Sequence, residues 1–78
     1  MEFEELKRLI ARTLNVPVEK VHMESSLKKD LGADSLDVFQ IVIGIEEELK
    51  VQVNPTEAEK LRTVGDVYKM TQRMTSTR

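Results

Sequence analysis

Apolar residues Phe3, Leu6, Leu9, Ile10 and Leu14 recur at spacings of three and four, which predicts an amphipathic helix over residues 2–14. Asn15-Val16-Pro17 ends it, since proline biases its predecessor away from helical geometry. The periodicity then fails as far as Gly32. Val18, Val21, Met23, Leu27 and Leu31 are too irregular for a strand and predict a long loop pinned to the rest of the molecule. Asp34-Ser35-Leu36-Asp37 places an acid at a candidate N-cap and a second acid three positions on, a near capping box. The segment after this box is contested, because Val38, Ile41, Val42, Ile43 and Ile45 are β-branched and Phe39 is aromatic. Helix costs such a segment about 2–3 kcal/mol relative to alanine, and burying two of these side chains returns about as much or more. The pattern also continues through Glu46-Glu47-Glu48-Leu49, too long a run for a typical strand, so a helix is expected over residues 35–49.

Lys50-Val51-Gln52-Val53-Asn54-Pro55 reads as an extended linker, and Thr56-Glu57-Ala58-Glu59 as the capping box of a short third helix with Leu61 packed near its end. Thr63-Val64-Gly65-Asp66 resembles another helix start, and Val64, Val67, Met70 and Met74 form the stripe of a fourth helix. The expected fold is all-α, a small four-helix bundle in one domain over residues 1–78, with 75–78 a frayed tail.

The second helix carries two apolar stripes. With Val38 as the origin of a helical wheel, Ile41, Val42, Ile45 and Leu49 fall within about 60° of it and form the core face. Leu36, Phe39 and Ile43 cluster instead between about 100° and 160°. Either the helix is central and buries both stripes, or the second stripe, edged by Glu46 and Glu47, docks a partner.

Composition narrows the function. A chain of 78 residues with no cysteine has no disulfide framework and no thiolate metal site, and at this size it has little room for an enclosed catalytic pocket. It is not expected to be an enzyme. The longest apolar run, Ile41 to Ile45, is far short of the roughly 20 residues that span a bilayer. The acidic start, Glu2, Glu4 and Glu5, suits no targeting leader, so a soluble protein of a reducing compartment, the cytoplasm, is expected. Charge is uneven: residues 31–66 hold eight acids against three bases, whereas residues 67–78 hold three bases and no acid. An acidic middle disfavours nucleic acid and favours a basic partner.

Asp30-Leu31-Gly32-Ala33-Asp34-Ser35-Leu36-Asp37, followed by an apolar helix ending Glu46-Glu47-Glu48, closely resembles the acyl carrier proteins of bacterial-type fatty acid synthesis. The first helix, the long loop, Glu57-Ala58-Glu59-Lys60 and Thr63-Val64 fall where that family has them, so the resemblance covers essentially the whole chain. It implies that Ser35 is the attachment point of a 4′-phosphopantetheine arm, transferred from coenzyme A by a holo-acyl-carrier synthase, whose thiol carries acyl groups as thioesters. It also implies a partner surface of Asp34, Leu36, Asp37, Phe39, Gln40, Ile43, Glu46 and Glu47, meeting basic patches on fatty acid or polyketide synthase enzymes. An acyl-chain pocket formed by Val38, Ile41, Val42, Ile45, Leu61 and Val67 is implied too, with no metal and a monomeric carrier. Physically, an Asp34 cap would leave the Ser35 hydroxyl free, and a helix N-terminus favours a phosphodiester anion.

Gln40 stands where the family usually has an acid, Phe39 is larger than the common valine, and Gly44 replaces a usual alanine; Lys50, Lys69, Arg73 and Arg78 dilute the acidity. These differences leave open a specialised carrier of polyketide, unusual lipid, aminoacyl or peptidyl cargo. The alternative of another class is a helical adaptor in which Ser35 is never modified. A Ser35–His22–aspartate hydrolase triad lacks an oxyanion hole and a pocket, and Asp30, Asp34 and Asp37 read as a solvated acidic face rather than a cation site.

Overall fold

The computed structural model describes residues 1–75 and contains four α-helices: α1 (Phe3–Leu14), α2 (Ser35–Leu49), α3 (Pro55–Glu59) and α4 (Val64–Thr75). The loop between α1 and α2 includes one 3-10 turn, Val18–Lys20. No strand occurs among the described residues; an isolated antiparallel bridge pairs Ser26 with Thr63. Thr75 belongs to α4, and residues 76–78 of the expected tail lie outside the described residues.

The helix starts have local causes, and so does the end of α1. At the start of α1 the Glu5 carboxylate accepts the Glu2 N–H at 2.9 Å. At its end Asn15 adopts φ 58°, a left-handed conformation that asparagine tolerates better than most residues, and donates to the Ala11 carbonyl. The start of α3 differs from the expectation of a Thr56 cap: Asn54 is the cap, its side-chain oxygen accepting the Thr56 N–H at 2.8 Å, and Pro55 is the first helical residue. Proline suits that position because its missing N–H would have had no intrahelical partner and its φ is already helical. At α4, Thr63 Oγ1 accepts the Asp66 N–H at 3.1 Å while Asp66 accepts the Thr63 N–H at 3.2 Å.

The core lies where the stripes meet. Leu6, Leu9 and Ile10 of α1, Val38, Ile41, Val42 and Ile45 of α2, and Val64, Val67 and Met70 of α4 are buried together. Phe3 and Tyr68 add an edge-to-face ring contact between α1 and α4 at 5.3 Å. Thr71 is fully enclosed, a position the apolar stripe misses; its hydroxyl donates to the Tyr68 carbonyl at 2.7 Å, so it enters the core with its polarity satisfied. In the long loop Val21, Leu27 and Leu31 are buried and Val18 is partly so, as expected, but Met23 is exposed.

Backbone hydrogen bonds join this loop to the turn between α3 and α4. Leu27 N–H donates to the Arg62 carbonyl at 2.9 Å, Val64 N–H to Ser25 at 3.0 Å and Gly65 N–H to Met23 at 2.8 Å. Gly65 permits the last of these approaches: a Cβ there would stand 3.0 Å from the Met23 carbonyl oxygen. The loop therefore forms one wall beside the N-terminus of α2.

Candidate functional site

Ser35 is the first residue of α2 and is exposed. Asp34 is the cap, in extended geometry: Asp34 Oδ1 accepts the Asp37 N–H at 2.9 Å, and Asp37 Oδ2 accepts the Asp34 N–H at 3.2 Å. This reciprocal pair is the box expected from Asp34-Ser35-Leu36-Asp37. Its consequence is that the Ser35 hydroxyl is not needed as a cap and makes no hydrogen bond among the described residues. The Ser35 and Leu36 amides, two of the orphan donors of the first turn, likewise have no partner among the described residues. Just before them Gly32 takes φ 72°, a left-handed turn that carries the chain into the cap without a Cβ in the way.

The other loop serines are already committed. Ser25 is buried, its hydroxyl donating to the Lys20 carbonyl at 3.1 Å and accepting the His22 N–H at 3.0 Å. Ser26 Oγ accepts the Lys29 N–H at 3.1 Å. Asp30 is committed too, accepting the Ser26 N–H at 2.7 Å. No group of three or more His, Asp or Glu able to hold a metal ion occurs among the described residues. His22 lines a surface depression with Glu19 and Glu24, separate from the cavity at Ser35.

Ser35 stands on the edge of a cavity of about 540 Å³. From α2 it is lined by Ser35, Val38 and Phe39, and from the α3 side by Ala58, Glu59 and Leu61. The loop wall contributes Ser26, Lys28 and Lys29, and the α3–α4 turn contributes Arg62. Of the residues expected around an acyl chain, only Val38 and Leu61 line this space. Ile41, Val42, Ile45 and Val67 are buried in the core and do not line it. Phe39, expected on the partner surface, lines the cavity as well; its angle on the wheel lies beside the core arc.

The second stripe of α2 is not buried. Leu36 is 67%, Phe39 42% and Ile43 46% exposed, which decides against a helix that buries both stripes. Asp34, Gln40 and Glu47 are exposed around them and Asp37 is half-buried. Glu46 departs from the group: it is half-buried, and its Oε2 accepts the Val53 N–H at 2.8 Å, which fastens the α2–α3 linker. Sequence reasoning assigned it to the rim of the surface because linker backbone leaves no signature of the side chain it will use. The cations Lys28, Lys29 and Arg62 were the residues missed at the site; the Lys28-Lys29 pair was visible, but its position beside Ser35 was not.

The arrangement suits covalent attachment of a phosphorylated group: a free hydroxyl, two amides without a partner among the described residues and a local positive dipole end, with a cavity alongside. No helix of the described residues is long and apolar enough to cross a membrane. The family model described as the phosphopantetheine attachment site matches residues 4–71. Acyl carrier proteins of Wolinella succinogenes and Clostridium acetobutylicum are each 45% identical over 67 residues, covering 86% of this chain and 88% and 87% of theirs. Among solved structures, a candidate acyl carrier protein from Mycobacterium tuberculosis superposes with a TM-score of 0.86 at 30% identity, covering 92% of this chain and 96% of its own. The chain belongs to the acyl carrier protein family, non-catalytic carriers built on a phosphopantetheine attachment domain.

Proposed function

We propose that Ser35 is the residue that receives 4′-phosphopantetheine, and that the loaded protein carries acyl intermediates among the enzymes of fatty acid synthesis in the cytoplasm. The observation that carries the assignment is the uncommitted Ser35 hydroxyl at the first position of α2, where Asp34 has taken over capping. In the transfer, Ser35 Oγ attacks the phosphorus that bears the pantetheine half of coenzyme A, its proton passes to a base of the holo-synthase, and adenosine 3′,5′-bisphosphate leaves. The Ser35 and Leu36 amides and the α2 dipole then face the phosphodiester anion. The arm supplies the thiol, absent from the chain itself, on which an acyl group is held as a thioester.

Partner enzymes would meet the exposed Leu36, Phe39 and Ile43, with Asp34, Asp37, Gln40 and Glu47 around them. Acids at such a rim speed encounter with a basic patch and make it salt-sensitive more than they raise final affinity.

The test is incubation of the purified protein with coenzyme A, magnesium and a phosphopantetheinyl transferase of broad specificity, followed by intact mass and peptide mapping. One phosphopantetheine adduct on Ser35, absent from Ser35→Ala, is expected. No adduct, or an adduct elsewhere, overturns the assignment.

A further inference from the structure

Asp30 is exposed and forms no ion pair among the described residues, yet its carboxylate is engaged with the backbone: Oδ2 accepts the Ser26 N–H at 2.7 Å, the short distance of a charge-assisted bond. Further bonds close the same span. Ser26 Oγ accepts the Lys29 N–H at 3.1 Å, and the Ser26 carbonyl accepts the Asp30 and Leu31 N–H groups at 3.0 and 3.1 Å. Residues 26–31 are thus a single turn closed onto Ser26, with Leu27 and Leu31 buried. A lone turn is unfavourable to nucleate, because few bonds repay the dihedrals they fix, so the side-chain bonds at its head help to hold it closed.

The turn is joined to the reacting serine through backbone. Leu27 N–H donates to the Arg62 carbonyl at 2.9 Å, and the Leu27 carbonyl accepts the Ala33 N–H at 2.8 Å. Ala33 is buried, follows the left-handed Gly32, and directly precedes Asp34, whose box with Asp37 opens α2. Leu27 therefore links the α3–α4 turn to the residue before the cap, and it lies inside the turn that Asp30 closes.

We propose that Asp30 is a positioning residue for phosphopantetheine transfer: by holding the Ser26 N–H it keeps the 26–31 turn closed, and so fixes how the chain enters the Asp34 cap and where the Ser35 hydroxyl stands. The inference rests on Ser35 as the attachment point. Asp30 forms no bond to Ser35 and does not line the cavity beside it, so its effect passes through the backbone. A hydroxyl held out of line with the phosphorus reacts slowly even in a complex that forms normally, so the loss falls on kcat rather than on KM. An acid that docked the synthase would act instead through its charge, on encounter and salt dependence. Asparagine separates the two roles, because its Oδ1 accepts an N–H without carrying charge.

The experiment follows phosphopantetheine transfer to the full chain by intact mass, with coenzyme A, magnesium and a transferase of broad specificity, over a range of carrier concentrations at low and high salt. Asp30→Ala should lower kcat about three- to tenfold with KM held within about twofold, a fraction of the loss that full misplacement causes. Asp30→Asn should recover most of the rate. Ser26→Ala, which removes the bond to the Lys29 N–H without changing charge, should lower kcat in the same direction by less. Circular dichroism checks that each variant is folded in the assay; should Asp30→Ala not fold, Ser26→Ala decides, and an unchanged kcat there overturns the proposal. An unchanged kcat in folded Asp30→Ala overturns it as well. So does a rise in KM that is equal in Asp30→Asn and Asp30→Ala and fades at high salt, which makes Asp30 a docking acid. No adduct on Ser35 of the unsubstituted chain overturns the Ser35 assignment itself and this inference with it.

Discussion

The starts of α2 and α4 are built to one local plan. Asp34 and Thr63 are the caps, Asp37 and Asp66 close reciprocal boxes three residues on, and Ser35-Leu36 and Val64-Gly65 occupy the two positions between. Their surroundings are opposite. At α4 the intervening amides donate to the Ser25 and Met23 carbonyls of the long loop, and Val64 is fully buried. At α2 the same two amides have no partner among the described residues, and Ser35 and Leu36 are exposed. Local capping chemistry therefore makes a helix start, and tertiary packing decides whether that start is structural or open to a ligand. A helix terminus sealed by loop backbone contributes to stability. One left unsealed retains its donors for an anion brought from outside.

Substitutions at matching positions test the contrast. The largest effect is expected at the first helical position: Ser35→Ala should abolish phosphopantetheine attachment in the mass assay and change stability by less than about 0.5 kcal/mol, since nothing packs on that side chain. Valine at the second position comes next. Gly65→Val should cost about 1–3 kcal/mol by urea unfolding, because its Cβ meets the Met23 carbonyl oxygen at 3.0 Å, whereas Leu36→Val should be nearly neutral. If the two variants are equally stable, the loop does not seal α4 as described.

Removing the caps should separate stability from function. Asp34→Ala and Thr63→Ala should each cost about 1 kcal/mol, while only Asp34→Ala slows phosphopantetheine transfer, because only there does the cap position the residue that reacts. The smallest effects belong to the far end of α2. Glu46→Gln should lower stability by about 1 kcal/mol or less through the weakened bond to Val53 N–H, with little change in partner kinetics. Glu47→Lys should leave stability unchanged and slow encounter with a basic synthase enzyme a few-fold at low salt, with a flatter salt dependence. The reverse ranking would show that Glu46 faces partners and that its contact with the linker is dispensable.

Much of the bundle was legible along the chain because its causes are local. The α1 stripe, the breadth of α2 and the Asp34–Asp37 box each depend on residues within one or two turns of each other. The same reasoning misplaced the start of α3 by giving Thr56 a role that Asn54 and Pro55 perform, where two adjacent capping signals compete and the stronger cap prevails. It missed Thr71, whose hydroxyl is satisfied by a carbonyl of its own helix and so enters the core at no polar cost. It grouped Ile41, Val42 and Ile45 with Val38 on one face, of which Val38 alone lines the cavity, since a wheel shows which side chains share a face but not which of them border an open space.

By itself the sequence determined four helices, an acid-capped serine at the head of the second, and two apolar stripes on that helix. These features arise from backbone periodicity and from side chains that reach only three or four residues. Only the tertiary structure decided that Leu36, Phe39 and Ile43 stay in solvent, that Glu46 turns to the linker, and that Lys28, Lys29 and Arg62 stand around the cavity at Ser35. Those outcomes depend on segments distant in the chain meeting through backbone bonds such as Leu27 to Arg62, and a backbone donor is the same in every residue but proline.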